Sequence, residues 1–240
     1  MKKTLTSVLL GAGLAVSSVQ AFADISANVS LTSDYRFRGI SQTAEDFAIQ
    51  GGIDWFNDAG FFAGAWASNV DFYPTGDEDD DGASVELDLY AGYAGAINDD
   101  VAYDVTVYRY MYPGDDIDQD YNEFALGVDY GPVRVAYWYA DDYLNLGEST
   151  QYLELNYAME LPQEFGLNFH VGHSFGDAYD DPSFLGLEDY TDYSISLTKT
   201  WAELDFELAY LDTDLDGSFE VESDHSANQD TFVLTVSKSF

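Results

Sequence analysis

Arginine is scarce in this chain, so where it stands carries information. The 240 residues include 45 acidic side chains against 8 basic ones, a formal net charge of −37. Two arginines lie two residues apart in Tyr35-Arg36-Phe37-Arg38-Gly39. A guanidinium presents a planar fork of donors that suits carboxylate and phosphate. The pair therefore reads as a constriction or a solute contact or, more simply, as ion pairs with nearby Asp or Glu that order a loop. Carboxylates are the other chemistry on offer. Asp34, Asp54, Glu86, Asp88, Asp104, Glu123, Asp129, Glu154, Asp205 and Glu207 share the polar side of alternating segments with Arg36 and Arg134, and Arg38 continues that phase. A surface with so many acids and so few bases attracts cations and repels anions. Most of these acids have no basic partner and call for a wet surrounding rather than a dry one.

Other motifs are weaker. Asp212-Thr213-Asp214-Leu215-Asp216-Gly217 opens like a calcium loop, D-x-D-x-D-G. The closing glutamate would fall at Ser223, and Glu222 is one position short. Asp212, Asp214 and Asp216 are thus a weak calcium candidate, and a solvated charge run is the simpler reading. The same holds for Asp77-Glu78-Asp79-Asp80-Asp81 and Asp115-Asp116-Ile117-Asp118. His170 shares a strand face with Asn168 and Ser174, but a nucleophilic triad needs groups converging from neighbouring strands. The reading is therefore not an enzyme: no catalytic residue is assigned and no cofactor is expected. The chain has no cysteine for thiolate metal sites. The negative charge excludes nucleic acid, which binds through Lys and Arg, and docking on anionic headgroups through a basic patch.

These side chains need elements to hold them. Lys2 and Lys3, the apolar run Val8 to Val16 and Ala21-Phe22-Ala23 form a leader over residues 1–23, with cleavage expected after Ala23. From Asp24 to Phe240 the dominant signal is alternation, the mark of strands with one apolar face. Ile25, Ala27, Val29 and Leu31 begin it, and Phe232, Leu234, Val236 and Phe240 end it. Twelve such runs follow one another, each close to the roughly 9–11 residues of a tilted membrane strand. The run from Phe61 to Phe72 is apolar on both sides, so either Phe61 or Trp66 could face outward. Connections alternate between short turns rich in Asn, Asp, Gly and Pro and long acidic loops, as in transmembrane barrels.

Aromatics on the apolar face cluster at strand ends. At the short-turn side stand Trp55, Phe61, Tyr93, Tyr103, Tyr130, Tyr157, Phe165, Trp201 and Phe240. At the other stand Tyr35, Phe47, Tyr139, Phe175, Tyr193, Tyr210 and Phe232. Two such girdles mark two lipid–water boundaries. The expected fold is all-β, a transmembrane antiparallel up-and-down barrel of about twelve strands spanning 24–240.

Two stretches carry a resemblance. The last strand, ending on Phe240, resembles the signal by which barrel-assembly machinery recognises outer-membrane proteins, although Lys238 occupies a usually apolar place. Ser26 to Thr43, followed by Ala48-Ile49-Gln50-Gly51-Gly52-Ile53-Asp54-Trp55, is similar to the front of the TorF family of porins. That resemblance implies an outer-membrane channel for small solutes, embedded in lipid and lipopolysaccharide, and it transfers no catalytic residues. The carboxylate-rich wall adds a cation preference. The competing reading is a non-conducting barrel whose loops bind ions or partners.

Overall fold

Residues 24–71, 82–114, 118–180, 188–215 and 228–240 are described by the structure, a computed structural model. The leader, the Asp77–Asp81 run, Asp115, Asp116 and Asp216 lie outside them. The chain begins with β1 (Asp24–Thr32), a small hairpin β2 (Arg36–Phe37) and β3 (Ile40–Ser41), then β4 (Ala48–Phe56), β5 (Phe61–Asn69) and β6 (Val85–Ala96). It continues through β7 (Val101–Met111), β8 (Tyr121–Tyr130), β9 (Val133–Ala140), β10 (Thr150–Leu161) and β11 (Phe165–Phe175). After the one-turn helix α1 (Asp177–Asp180) come β12 (Tyr190–Trp201), β13 (Leu204–Thr213) and β14 (Thr231–Ser239).

Twelve of these strands close a barrel, each antiparallel to its neighbours in chain order, with β1 sealing against both β4 and β14. The last residue is held in this seam: Phe240 N–H donates to Ala27 O at 2.8 Å. Short turns are locked locally. Asn57 Oδ1 accepts from the N–H groups of Ala59 and Phe61, both at 3.0 Å, the Asx geometry that makes Asn a turn residue.

The alternation resolves into two solvents. Ile49, Leu208 and Leu234 are 66%, 48% and 49% exposed, whereas Glu86, Thr106 and Ser196 are 2% or less. In water such an apolar exterior would be strongly unfavourable at ~25 cal/mol per Å²; against hydrocarbon it is the stable arrangement. The fold is therefore a transmembrane barrel, greasy side outward. The third run is settled as well: Phe61 faces out, while Phe62 and Trp66 face in. One girdle residue is corrected. Tyr35 is buried inside against Trp66, not at the outer boundary, because β1 ends at Thr32 and the chain then turns inward.

Candidate functional site

That inward turn builds the main feature of the lumen. The β2–β3 hairpin has two turn residues, Arg38 and Gly39, with φ of 49° and 82°. Positive φ at both is what a type I′ turn requires. A Cβ at Gly39 would meet the Thr213 methyl carbon at 2.4 Å, so glycine is also needed for the close approach to the wall. The base of the hairpin is pinned by its own side chains. Thr43 Oγ1 accepts from Tyr35 N at 3.1 Å and donates to Asp46 O at 2.7 Å. Asp34 accepts from Arg36 Nε and from Ser41 Oγ. Arg36 also reaches Gly39 O and Glu45 Oε1, both at 3.1 Å, and so knits the loop together.

Arg38 does something different. In the ring of strands, β8, β9 and β10 lie across the barrel from the β1–β4 seam that launches the hairpin. Arg38 meets all three. Its Nη2 donates to Glu123 Oε1 on β8 at 2.6 Å. Its guanidinium carbon lies 4.4 Å from the ring centre of Tyr152 on β10 and 6.0 Å from that of Trp138 on β9. Both members of the ion pair are buried, the Glu123 side chain completely. Tyr110 OH donates to the other Glu123 oxygen at 3.2 Å, and Tyr190 OH donates to Arg38 O at 3.0 Å. The hairpin therefore spans the bore from wall to wall.

Arg36 and Arg38 both sit in the lumen, then, but on this hairpin rather than in the continued phase of β1. Each is ion-paired, and Arg38 also reaches across the bore to the far strands.

An aromatic layer surrounds the hairpin. Tyr108, Tyr110 and Tyr121 stack in series, with Tyr143 edge-on to Tyr121. Phe37 meets Tyr110 edge-on at 6.1 Å. Burial raises the phenols of Tyr143, in the β9–β10 connection, and Tyr179, in α1, above their ordinary range, so both stay neutral. Beyond the hairpin, toward the short turns, lies a cavity of about 470 Å³ bordered by Asp88, Asp104, Trp138, Glu154 and His170. Among the described residues the chamber lies on the short-turn side of the hairpin, and stacked rings surround the hairpin itself.

Asp54 accepts from Tyr90 OH, and Glu154 accepts from Trp138 Nε1 at 3.2 Å. Arg134 is shared between Asp104 at 2.7 Å and Asp129 at 2.8 Å. Glu86 accepts from Tyr112 OH through one oxygen, while its other oxygen, both oxygens of Asp88 and one of Glu207 find no partner among the described residues. Asp205 lies in the same phase but is exposed at the short-turn rim, accepting from Thr200 OH at 2.5 Å.

Of the weak calcium candidate only Asp212 and Asp214 lie within the described residues. Asp212 accepts from Tyr193 OH and Thr213 N, and Asp214 from Thr191 N. No group of three or more potential metal ligands converges among the described residues.

The sequence reading missed a network around His170. Its Nε2 lies 2.9 Å from Asp192 Oδ1 and its Nδ1 2.7 Å from Asn156 Oδ1. Tyr152 OH donates to the same Asp192 carboxylate at 3.0 Å. Tyr152 lies flat on Gly172, where a Cβ would be 1.9 Å from the hydroxyl oxygen. Asp192 and His170 stand on neighbouring strands, in the shared polar phase, which was the available signal.

A closed barrel with an apolar exterior, a polar lumen and a loop folded across it is a porin-type architecture. The chain belongs to the Gcw_chp family, described as bacterial proteins of unknown function, whose family model matches residues 17–240. Among solved structures, a KdgM porin is similar with a TM-score of 0.55 at 10% identity, over 90% of this chain and 99% of that one. A NanC porin follows at 0.54 and 8%, over 89% and 98%. At such identities the likeness is one of fold. No curated protein matches the sequence significantly.

Proposed function

We propose that the protein is an outer-membrane channel through which small solutes diffuse, with a preference for cations, and that it stands with the TorF-type porins its first two strands resemble. The observation that carries this reading is the charge balance of the lumen. Arg36, Arg38 and Arg134 are all spent on carboxylates, while Glu86, Asp88 and Glu207 keep oxygens without a partner among the described residues. An under-compensated acidic wall concentrates cations and repels anions. One similar barrel, a KdgM porin with a TM-score of 0.50 at 9% identity, is in complex with a disordered oligogalacturonate, an acidic sugar chain. The lumen here favours the opposite charge, so that ligand is not carried over.

In this reading residues 1–23 are removed on export, the short turns face the periplasm and the acidic loops face lipopolysaccharide. The strand ending at Phe240 is what barrel-assembly machinery engages. Lys199 and Lys238 sit outward on Phe165 and Phe240 at the short-turn rim, where their ammonium groups reach the headgroup level. No catalytic step or cofactor belongs to it.

One observation favours the non-conducting alternative: the hairpin that crosses the bore. Planar-bilayer recording under a potassium chloride gradient separates the two. The channel reading expects discrete current steps and a reversal potential of cationic sign. A protein that stays silent at high concentration leaves the closed barrel.

A further inference from the structure

Asp88 is the most isolated carboxyl group among the described residues of the barrel. It lies on β6, faces the lumen, is 1% exposed, and neither of its oxygens has a partner among the described residues. Every lumen arginine is committed elsewhere. The strand register frames it with rings. Trp66 on β5 and Tyr110 on β7 stand directly opposite it on either side, and Tyr90 follows on its own face. Tyr35 packs edge-on against Trp66 at 5.4 Å, and Phe37 against Tyr110, so the hairpin roofs the frame. The chamber of about 470 Å³ counts Asp88 among its lining residues, and the two carboxyl oxygens sit just behind its surface.

We propose that Asp88 anchors a binding site for a small organic cation, a guanidinium or a primary ammonium, within this ring of aromatic faces. A desolvated carboxylate is strongly unfavourable without a counter-charge. Aromatic faces attract cations through their quadrupole, and they do so best where water is excluded. A bare metal ion would ask for more oxygen ligands than Asp88 and the free oxygen of Glu86 supply. An organic cation uses both parts of the site, its charge on the carboxylate and its body on the rings. The chain itself provides the precedent two strands along the same wall, where Arg38 pairs with Glu123 on β8 and lies over the rings of Tyr152 and Trp138.

Access to the site rests on the lumen route proposed above. Two tryptophans, Trp66 and Trp138, face the lumen and report binding directly. The test is a fluorescence titration of the detergent-refolded full chain with methylguanidinium, n-butylammonium, sodium and the neutral isostere methylurea, at constant ionic strength. The site predicts saturable responses to one or both organic cations, silence with methylurea, and affinity at least tenfold weaker in D88N. The tighter of the two cations identifies the headgroup class. Equal responses to methylurea or to sodium, or an unchanged D88N (the result if Asp88 simply holds a proton), overturn it. Should D88N not refold, the comparison of charged and neutral isosteres on the native chain decides alone. A protein that binds but carries no current loses the channel and keeps the site. One that conducts without binding loses only the site.

Discussion

The two halves of the lumen wall are built from different materials. From β6 to β9 the inward positions carry Tyr90, Tyr108, Tyr110, Tyr121 and Trp138, whose rings touch in an unbroken series. From β11 to β14 the inward positions carry small hydroxyls and amides. Asn168 Nδ2 donates to Ser196 Oγ at 3.2 Å there, and Thr235 Oγ1 crosses the seam to Thr32 Oγ1 at 2.9 Å. Both halves hold acids. On the hydroxyl side Asp192 is surrounded by donors. On the aromatic side Asp88 has none among the described residues, and Glu123 depends on the incoming Arg38. The contrast is sharpest between Asp192 and Asp88; Glu207 on the hydroxyl side also keeps an oxygen without a partner among the described residues, and Glu123 on the aromatic side also accepts from Tyr110 OH.

The strongest way to break the contrast is to remove the bridge between the halves. Losing one partner of a buried ion pair costs about 3–5 kcal/mol locally, because the other charge stays behind uncompensated. E123A is therefore expected to release the hairpin instead of leaving Arg38 buried. Conductance should rise severalfold over the native chain, and trypsin should cut after Arg38, a bond the native fold protects, as read by mass spectrometry. R38A should also raise conductance, while leaving the buried Glu123 with Tyr110 OH as its remaining donor among the described residues. If E123A keeps both native conductance and protease resistance, the hairpin is held by its pinned base alone.

A smaller effect comes from the glycine under Tyr152. G172A forces that ring away from the wall and off Asp192, an overpacking cost of about 1–3 kcal/mol. It should appear as a lower urea midpoint in detergent. G64A does the same beneath Tyr90 on the aromatic side, where the added Cβ would meet the ring at 2.4 Å. Similar losses from both would mean that ring placement matters equally in the two halves. The smallest change is S196A, which removes one neutral hydrogen bond from the hydroxyl side, worth about 1 kcal/mol. Its current–voltage curve should match the native one.

The barrel was legible because period-two alternation and turn chemistry survive for more than two hundred residues, and each strand repeats the message. The third strand was not, because a lumen lined with rings puts Trp66 inside and erases the apolar–polar contrast that sets phase. The hairpin was hidden for another reason. Alternation says where strands lie but not whether a loop leaves for solvent or folds back. The partners of Arg38 come from strands 85 and more residues away, so local spacing cannot display them. The Phe37-Arg38-Gly39-Ile40 hairpin signal was present, flanked by apolar residues, yet read as an extension of the preceding strand or as an ordered outer loop.

The seam has a kinetic meaning. β1 shares five residue pairs with β14, against nine with β4. The junction joins positions some two hundred residues apart, so it gains nothing until every intervening hairpin is in place. Cylinder closure is therefore the late, slow event in assembly, and this narrow zip is the place where the finished wall would part first.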